Sequence, residues 1–85
     1  MINLDGAVVI VTGSASGTGA ATALSVADKG AHVVVNYSRS KEKAEEVANS
    51  CSQLGAEVLV QKANVANDED CRLLAMVALD RWGKI

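Results

Sequence analysis

Val8-Val9-Ile10-Val11-Thr12-Gly13-Ser14-Ala15-Ser16-Gly17-Thr18-Gly19-Ala20-Ala21 reads as a strand, a tight turn and the opening of a helix. Ala7–Val11 is apolar and mostly β-branched, the composition of a strand buried on both faces of a parallel sheet. The glycines of the turn stand at 13, 17 and 19. Gly13 permits a sharp turn, Gly17 lets a pyrophosphate approach bare backbone, and Gly19 allows close contact between helix and strand. The free N–H groups of the first helical turn, with the helix dipole, favour an anion at that point. The hydroxyls of Ser14, Ser16 and Thr18 are expected as further donors. A Gly-rich surface loop has the same letters, but it does not follow a buried strand or open a helix. A nucleoside-triphosphate loop is disfavoured, because it ends in Gly-Lys-Ser or Gly-Lys-Thr and Gly19 is followed here by two alanines.

The rest of the chain repeats that rhythm. Gly17–Lys29 is an Ala-rich helix stopped by Gly30. Ala31–Tyr37 is a second buried strand through Val33, Val34 and Val35. Ser40 is expected to cap a helix over Lys41–Leu54, whose apolar stripe is Ala44, Val47, Ala48, Cys51 and Leu54. Glu57–Gln61 is a third strand. After a loop at Asn64–Asn67, a last helix capped by Asn67 or Asp68 runs to about Trp82, with Asp68, Glu69 and Asp70 favourably placed in its first turn. Strand and helix alternate three times, which predicts an α/β fold: a parallel sheet of three strands and three helices (β-α-β-α-β-α) joined by right-handed crossovers. Residues 1–85 are expected to be the N-terminal part of a dinucleotide-binding domain, cut before its fourth strand. Lys84 and Ile85 read as the lead-in to a fourth strand, before which the sequence stops; the first strand is apolar enough to be central, so its free edge is expected to favour self-association.

Composition narrows the function. The chain has 85 residues, 49% of them apolar and only Tyr37 and Trp82 aromatic. Small side chains of this kind suit close packing of helices on a sheet. A net charge of -2 argues against nucleic-acid binding, which normally needs a basic stripe. Cys51 and Cys71 match no metal spacing and are expected as partly buried free thiols. Met1–Gly6 carries Asp5 and no basic residue, so no leader is read, and Val8–Val11 is too short to cross a membrane. The expected setting is cytoplasmic, with no membrane partner.

Candidate ligand contacts collect where strands end. Dinucleotide-binding units of this type place an acid about twenty residues beyond the glycines, on the ribose hydroxyls. This chain has Asn36 there, then Tyr37, Ser38 and Arg39. An amide still bonds a hydroxyl but does not repel a 2′-phosphate, and an arginine offers a fork of donors to one. NADP is therefore favoured over NAD as cofactor. Asn64, after the third strand, falls near where an adenine would lie. His32 starts its strand at the opposite end and is read as structural or solvated, and Trp82 is expected to pack on the sheet. No Ser/His/Asp set and no paired catalytic carboxylates emerge.

These residues resemble the N-terminal part of the short-chain dehydrogenase/reductase family, classical type. Thr12–Gly19 matches its glycine motif in spacing. Val33–Tyr37, with Asn36 where many members carry Asp, is similar to 3-oxoacyl-carrier-protein reductases and glucose dehydrogenases, and Asp80–Ile85 resembles the approach to the family's fourth strand. The resemblance implies a partial Rossmann-type doubly wound sheet and hydride transfer between a nicotinamide and a carbonyl or alcohol. It assigns cofactor contacts to Gly13, Ser14, Ser16, Gly17, Thr18, Gly19, Asn36, Tyr37, Ser38, Arg39, Asn64 and Val65, the last two falling on an Asp-Val pair whose acid accepts from the adenine amine. The family's catalytic serine and Tyr-xxx-Lys pair lie much later, so no catalytic residue and no metal ligand is expected here, and Tyr37, which closes a strand, is not expected to stand in for that tyrosine. The expected function is the cofactor-binding portion of an NAD(P)-dependent oxidoreductase. The alternatives are a non-catalytic nucleotide-binding module and an interaction protein that uses its sheet edge.

Overall fold

The computed structural model describes residues 3–85; Met1 and Ile2, the start of the segment read for a leader, lie outside the described residues. The elements are β1 (Val8–Val11), α1 (Gly17–Asp28), β2 (His32–Tyr37), α2 (Lys41–Gln53), β3 (Val58–Lys62) and α3 (Asp68–Trp82). All strands are parallel, in the order β1-β2-β3, with Val8–Val11 opposite His32–Val35 and Val33–Tyr37 opposite Val58–Lys62. The expected elements are present, with ends moved slightly for local reasons. Ala31 is not a strand residue because its N–H donates to the Val26 carbonyl at the exit of α1. Lys29 and Leu54 serve as C-caps rather than helical residues.

The period of two along each strand divides the core into two layers. On one face Val11, Val33 and Val35 pack against Ala23 and Ala27 of α1 and Ala44 and Cys51 of α2. On the other, Val8, Val34 and Ala63 meet Leu74 and Ala78 of α3. Val33, Val34 and Val35 have no exposed surface, which stabilises the fold by about 1.5–3 kcal/mol for each side chain. Alanine at the helix contacts lets the helices lie close to the sheet, as the composition implied.

Some expectations need correction. Leu54 ends the predicted α2 stripe but is 47% exposed, because the helix has already turned into its cap. The two cysteines differ. Cys51 is buried on the core side of α2, and burial pushes its thiol pKa up. Cys71 is exposed in the first turn of α3, where its thiol donates to the Val65 carbonyl at 3.2 Å. His32 is structural, as read: its Nδ1 accepts from the Glu57 N–H at 3.1 Å, and its ring stacks on Trp82 at 5.7 Å.

Among the described strands β1 pairs with β2 alone. On α3 a mostly apolar groove is lined by Leu73, Met76, Val77, Leu79 and Asp80. An unpaired, apolar parallel strand is a template for association. The isolated 85-residue chain is therefore expected to sediment as oligomers, or to melt in a low, broad transition with early labelling of Cys51 by thiol reagents. A monodisperse monomer with a sharp, high melting point and a protected Cys51 would contradict this.

Candidate dinucleotide site

Parallel strands deliver their C-terminal ends to one rim of the sheet. Three loops therefore meet there: residues 12–16 after β1, 38–40 after β2 and 63–67 after β3. Between the first two lies a groove of about 250 Å³ lined by Gly13, Ala15, Ser16, Tyr37, Ser38, Arg39, Ser40 and Lys43. Ser16, the residue just before α1, is part of its wall.

The glycines behave as their spacing requires. Gly13 and Gly17 both have φ of +60°, and a Cβ on either meets no protein atom within 4 Å. The backbone there is open to a ligand and strained for any other residue. Gly19 lies inside the first turn, where a Cβ would overlap the Gly13 carbonyl. That overlap fixes how closely α1 approaches the end of β1.

The helix starts differ in a telling way. Ser40 caps α2 by accepting from the Lys43 N–H at 3.3 Å, and Glu42 sits in that first turn. Asn67 caps α3 by accepting from Glu69 and Asp70, both acidic, with Asp68 beside them. At α1 the Ser16 side chain makes no cap bond, and the first turn holds no acid. Its N–H groups and dipole are left for something else to satisfy.

Two predicted donors are turned away from the groove. Ser14 is fully buried: its hydroxyl donates to the Val11 carbonyl at 2.6 Å and accepts from the Asn36 N–H at 2.9 Å. It is not free for a phosphate. Asn36 is only 2% exposed. Its Oδ1 accepts from the Gly13 N–H at 2.9 Å, and its Nδ2 lies 3.1–3.3 Å from the carbonyls of Tyr37, Gln61 and Ala63. The expected ribose contact from this side chain does not fit, since alternation along β2 points it towards the α3 face. Ser16 and Thr18 remain exposed, as do Ser38 and Arg39. Lys43, one helical turn into α2, joins Arg39 at the groove. Its place in the run of cations that follows Arg39 was the signal for it.

Asn64 and Val65 lie on the next loop and do not line the groove. The Asn64 N–H donates to Asp70 at 2.7 Å, and its side-chain oxygen accepts from the Ala66 N–H at 3.0 Å, leaving one lone pair. Val65 is 49% exposed.

Spacing alone does not dispose of Tyr37, because Lys41 stands four residues after it. Geometry does. Tyr37 ends β2 and Lys41 begins α2, so the two do not share a helical face, and the Lys41 ammonium pairs with Glu45 at 3.9 Å in solvent.

The family model for short chain dehydrogenases matches residues 7–85. The chain belongs to the short-chain dehydrogenase family. It is 37% identical to a trihydroxynaphthalene reductase of Pestalotiopsis fici over 83 residues, 98% of this chain and 29% of that one. To a 3-oxoacyl-[acyl-carrier-protein] reductase of Synechocystis it is 39% identical over its whole length, 34% of that protein. The crystal structure of a hydroxysteroid dehydrogenase from Escherichia coli superimposes with a TM-score of 0.89 at 30% identity, covering 98% of this chain and 35% of that one. The chain thus spans about a third of the length of these relatives. The family binds NAD(P), and the shared portion carries the Rossmann-type sheet. Among the described residues no helix is long and apolar enough to cross a membrane.

The packing at Gly19 gives a test independent of any ligand. Gly19→Val must push α1 away from the Gly13 carbonyl, an overpacking that typically costs about 1–3 kcal/mol. Urea unfolding should show that loss, and an unchanged midpoint would refute the close approach.

Proposed function

We propose that the groove takes the adenosine and pyrophosphate half of a nicotinamide dinucleotide, in a protein that moves hydride between the nicotinamide and a carbonyl or alcohol substrate. The observation that carries this reading is the uncapped, acid-free start of α1 beneath Gly13 and Gly17. Two helices of the fold have a side-chain cap and an acid in the first turn, and the third has neither. A pyrophosphate fits there because the N–H groups supply donors, the glycines supply room, and the dipole favours its charge. Bound in this way, the dinucleotide supplies the hydride; the residues described here hold and orient its adenosine end. The names of the relatives, reductases and dehydrogenases alike, favour an oxidoreductase over a non-catalytic binding module.

We further propose a preference for NADP over NAD. Arg39 and Lys43 bring two cations to the groove, and Ser38 and Ser40 add hydroxyls. A 2′-phosphate on the adenosine ribose is the anion such a set would favour, with Arg39 as its bidentate partner. Tyr37 lines the same groove and is proposed to meet the adenosine. Asn64 and Val65 are proposed to meet the adenine edge, Asn64 through its remaining lone pair.

Calorimetric titration should give tighter binding of NADPH than NADH. Arg39→Ala should reduce that preference by about tenfold or more, the scale of a charge-assisted bond of ~1.5–3 kcal/mol. Equal affinities of the unaltered chain for the two cofactors would overturn the preference, and binding of neither would overturn the site.

Hydride transfer should be absent from these residues alone. Proton transfer to a substrate oxygen needs an acid within hydrogen-bond reach, and neither Tyr37 nor Lys41 is placed as an acid–base pair. An NADPH-oxidation assay across a panel of carbonyl compounds should stay at background. Turnover by contaminant-free 85-residue chain would overturn this.

A further inference from the structure

We propose that Asn36 is a positioning residue that clasps the glycine turn to the ends of all three strands, and that the position demands an amide rather than an acid. The affinity part of this inference rests on the dinucleotide reading above; the clasp itself does not.

Asn36 closes a network with no free polar atom. Its Oδ1 accepts from Gly13, the residue at which the turn leaves β1. Its Nδ2 faces the carbonyls of Tyr37 on its own strand and of Gln61 and Ala63 at the exit of β3. Its backbone N–H and carbonyl hold Ser14, at 2.9 Å to the hydroxyl and 3.0 Å to the Ser14 N–H, and Ser14 ties in Val11 at the end of β1. The amide orientation follows from chemistry: reversed, its oxygen would face three carbonyls and its NH₂ would face a donor. Only an uncharged group with an acceptor on one side and donors on the other completes this arrangement. A carboxylate keeps the acceptor for Gly13, but it loses both donors and buries a charge against three carbonyl dipoles.

This differs from reading position 36 as the cofactor selector. If the Asn36 side chain met the ribose, Asn36→Asp would shift preference from NADPH towards NADH. As a clasp, Asn36→Asp disturbs the turn that both cofactors share and leaves the preference alone.

Residue-resolved amide hydrogen exchange on the nucleotide-free chain tests the clasp without any variant. The Gly13 N–H should exchange at least about tenfold more slowly than the uncapped Gly17 N–H, as an N–H held in a hydrogen bond requires. Equal exchange at the two would overturn the proposal. In Asn36→Ala the Gly13 protection should vanish while Val33, Val34 and Val35 stay protected. In Asn36→Asp, affinities for NADPH and NADH should fall by the same factor, about tenfold or more, with their ratio unchanged within error. A ratio moving towards NADH would overturn the clasp. Should the unaltered chain bind neither nucleotide while Gly13 is protected, the clasp stands and the proposed function falls.

Discussion

The first turn of α1 lies against the carbonyl of Gly13 with no room for a side chain at position 19. Much of the molecule's arrangement follows from that contact. It sets the helix start directly under the end of β1, so its N–H groups open onto the rim where the strands end. It also forces the chain between them into a short turn with positive φ at Gly13 and Gly17. The turn then needs an anchor of its own, because five residues bridging a strand and a helix have little surface to bury. Ser14 and Asn36 provide it with hydrogen bonds from below, leaving the upper surface of the turn bare.

The same demand for closeness runs through the rest of the core. Ala23, Ala27, Ala44 and Ala78 are at most 1% exposed, and they are the residues that bring helices onto the sheet. Helices seated on alanine lie near the strands, and the valines of β2 fill the space between. The arrangement leaves few bulky side chains to stabilise each layer, so the fold relies on having both faces of β2 covered. β2 meets that condition, with α1 and α2 on one side and α3 on the other. Among the described residues β1 meets it on its faces but has no strand along its other edge, and this is where the sheet is least self-sufficient.

Much of this was legible without coordinates. Apolar runs bounded by glycines give buried strands, and stripes spaced three and four apart give helices, so element order and the parallel sheet could be read directly. The caps at Ser40 and Asn67 could be read too, because a short polar side chain before a helix has few other tasks. What could not be read was the direction of individual polar side chains. Ser14 looks like its neighbour Ser16 in sequence, yet one is sealed beneath the turn and the other lines the groove. Cys51 falls on the apolar stripe of α2 and is buried, whereas no such spacing placed Cys71, which is exposed. Lys43 became visible at the groove only once α2 had a fixed start.

Position 36 shows why such errors arise. Counting from the glycines locates the end of β2 to within a residue or so, but a strand reverses the facing of its side chains at every step. Val34 packs under α3, so Asn36 must face the same way, and Val35 packs under α1 and α2, so Tyr37 must face theirs. An error of one residue in the count therefore exchanges a side chain buried under the sheet for one lining the groove. The same parity governs Tyr37 and Lys41. Their spacing suits one face of a helix, but the chain changes from strand to helix between them. A spacing rule carries chemistry only when the element it presumes is the one that forms, and here the polar network around Asn36 helps hold the strand end in place as far as Tyr37.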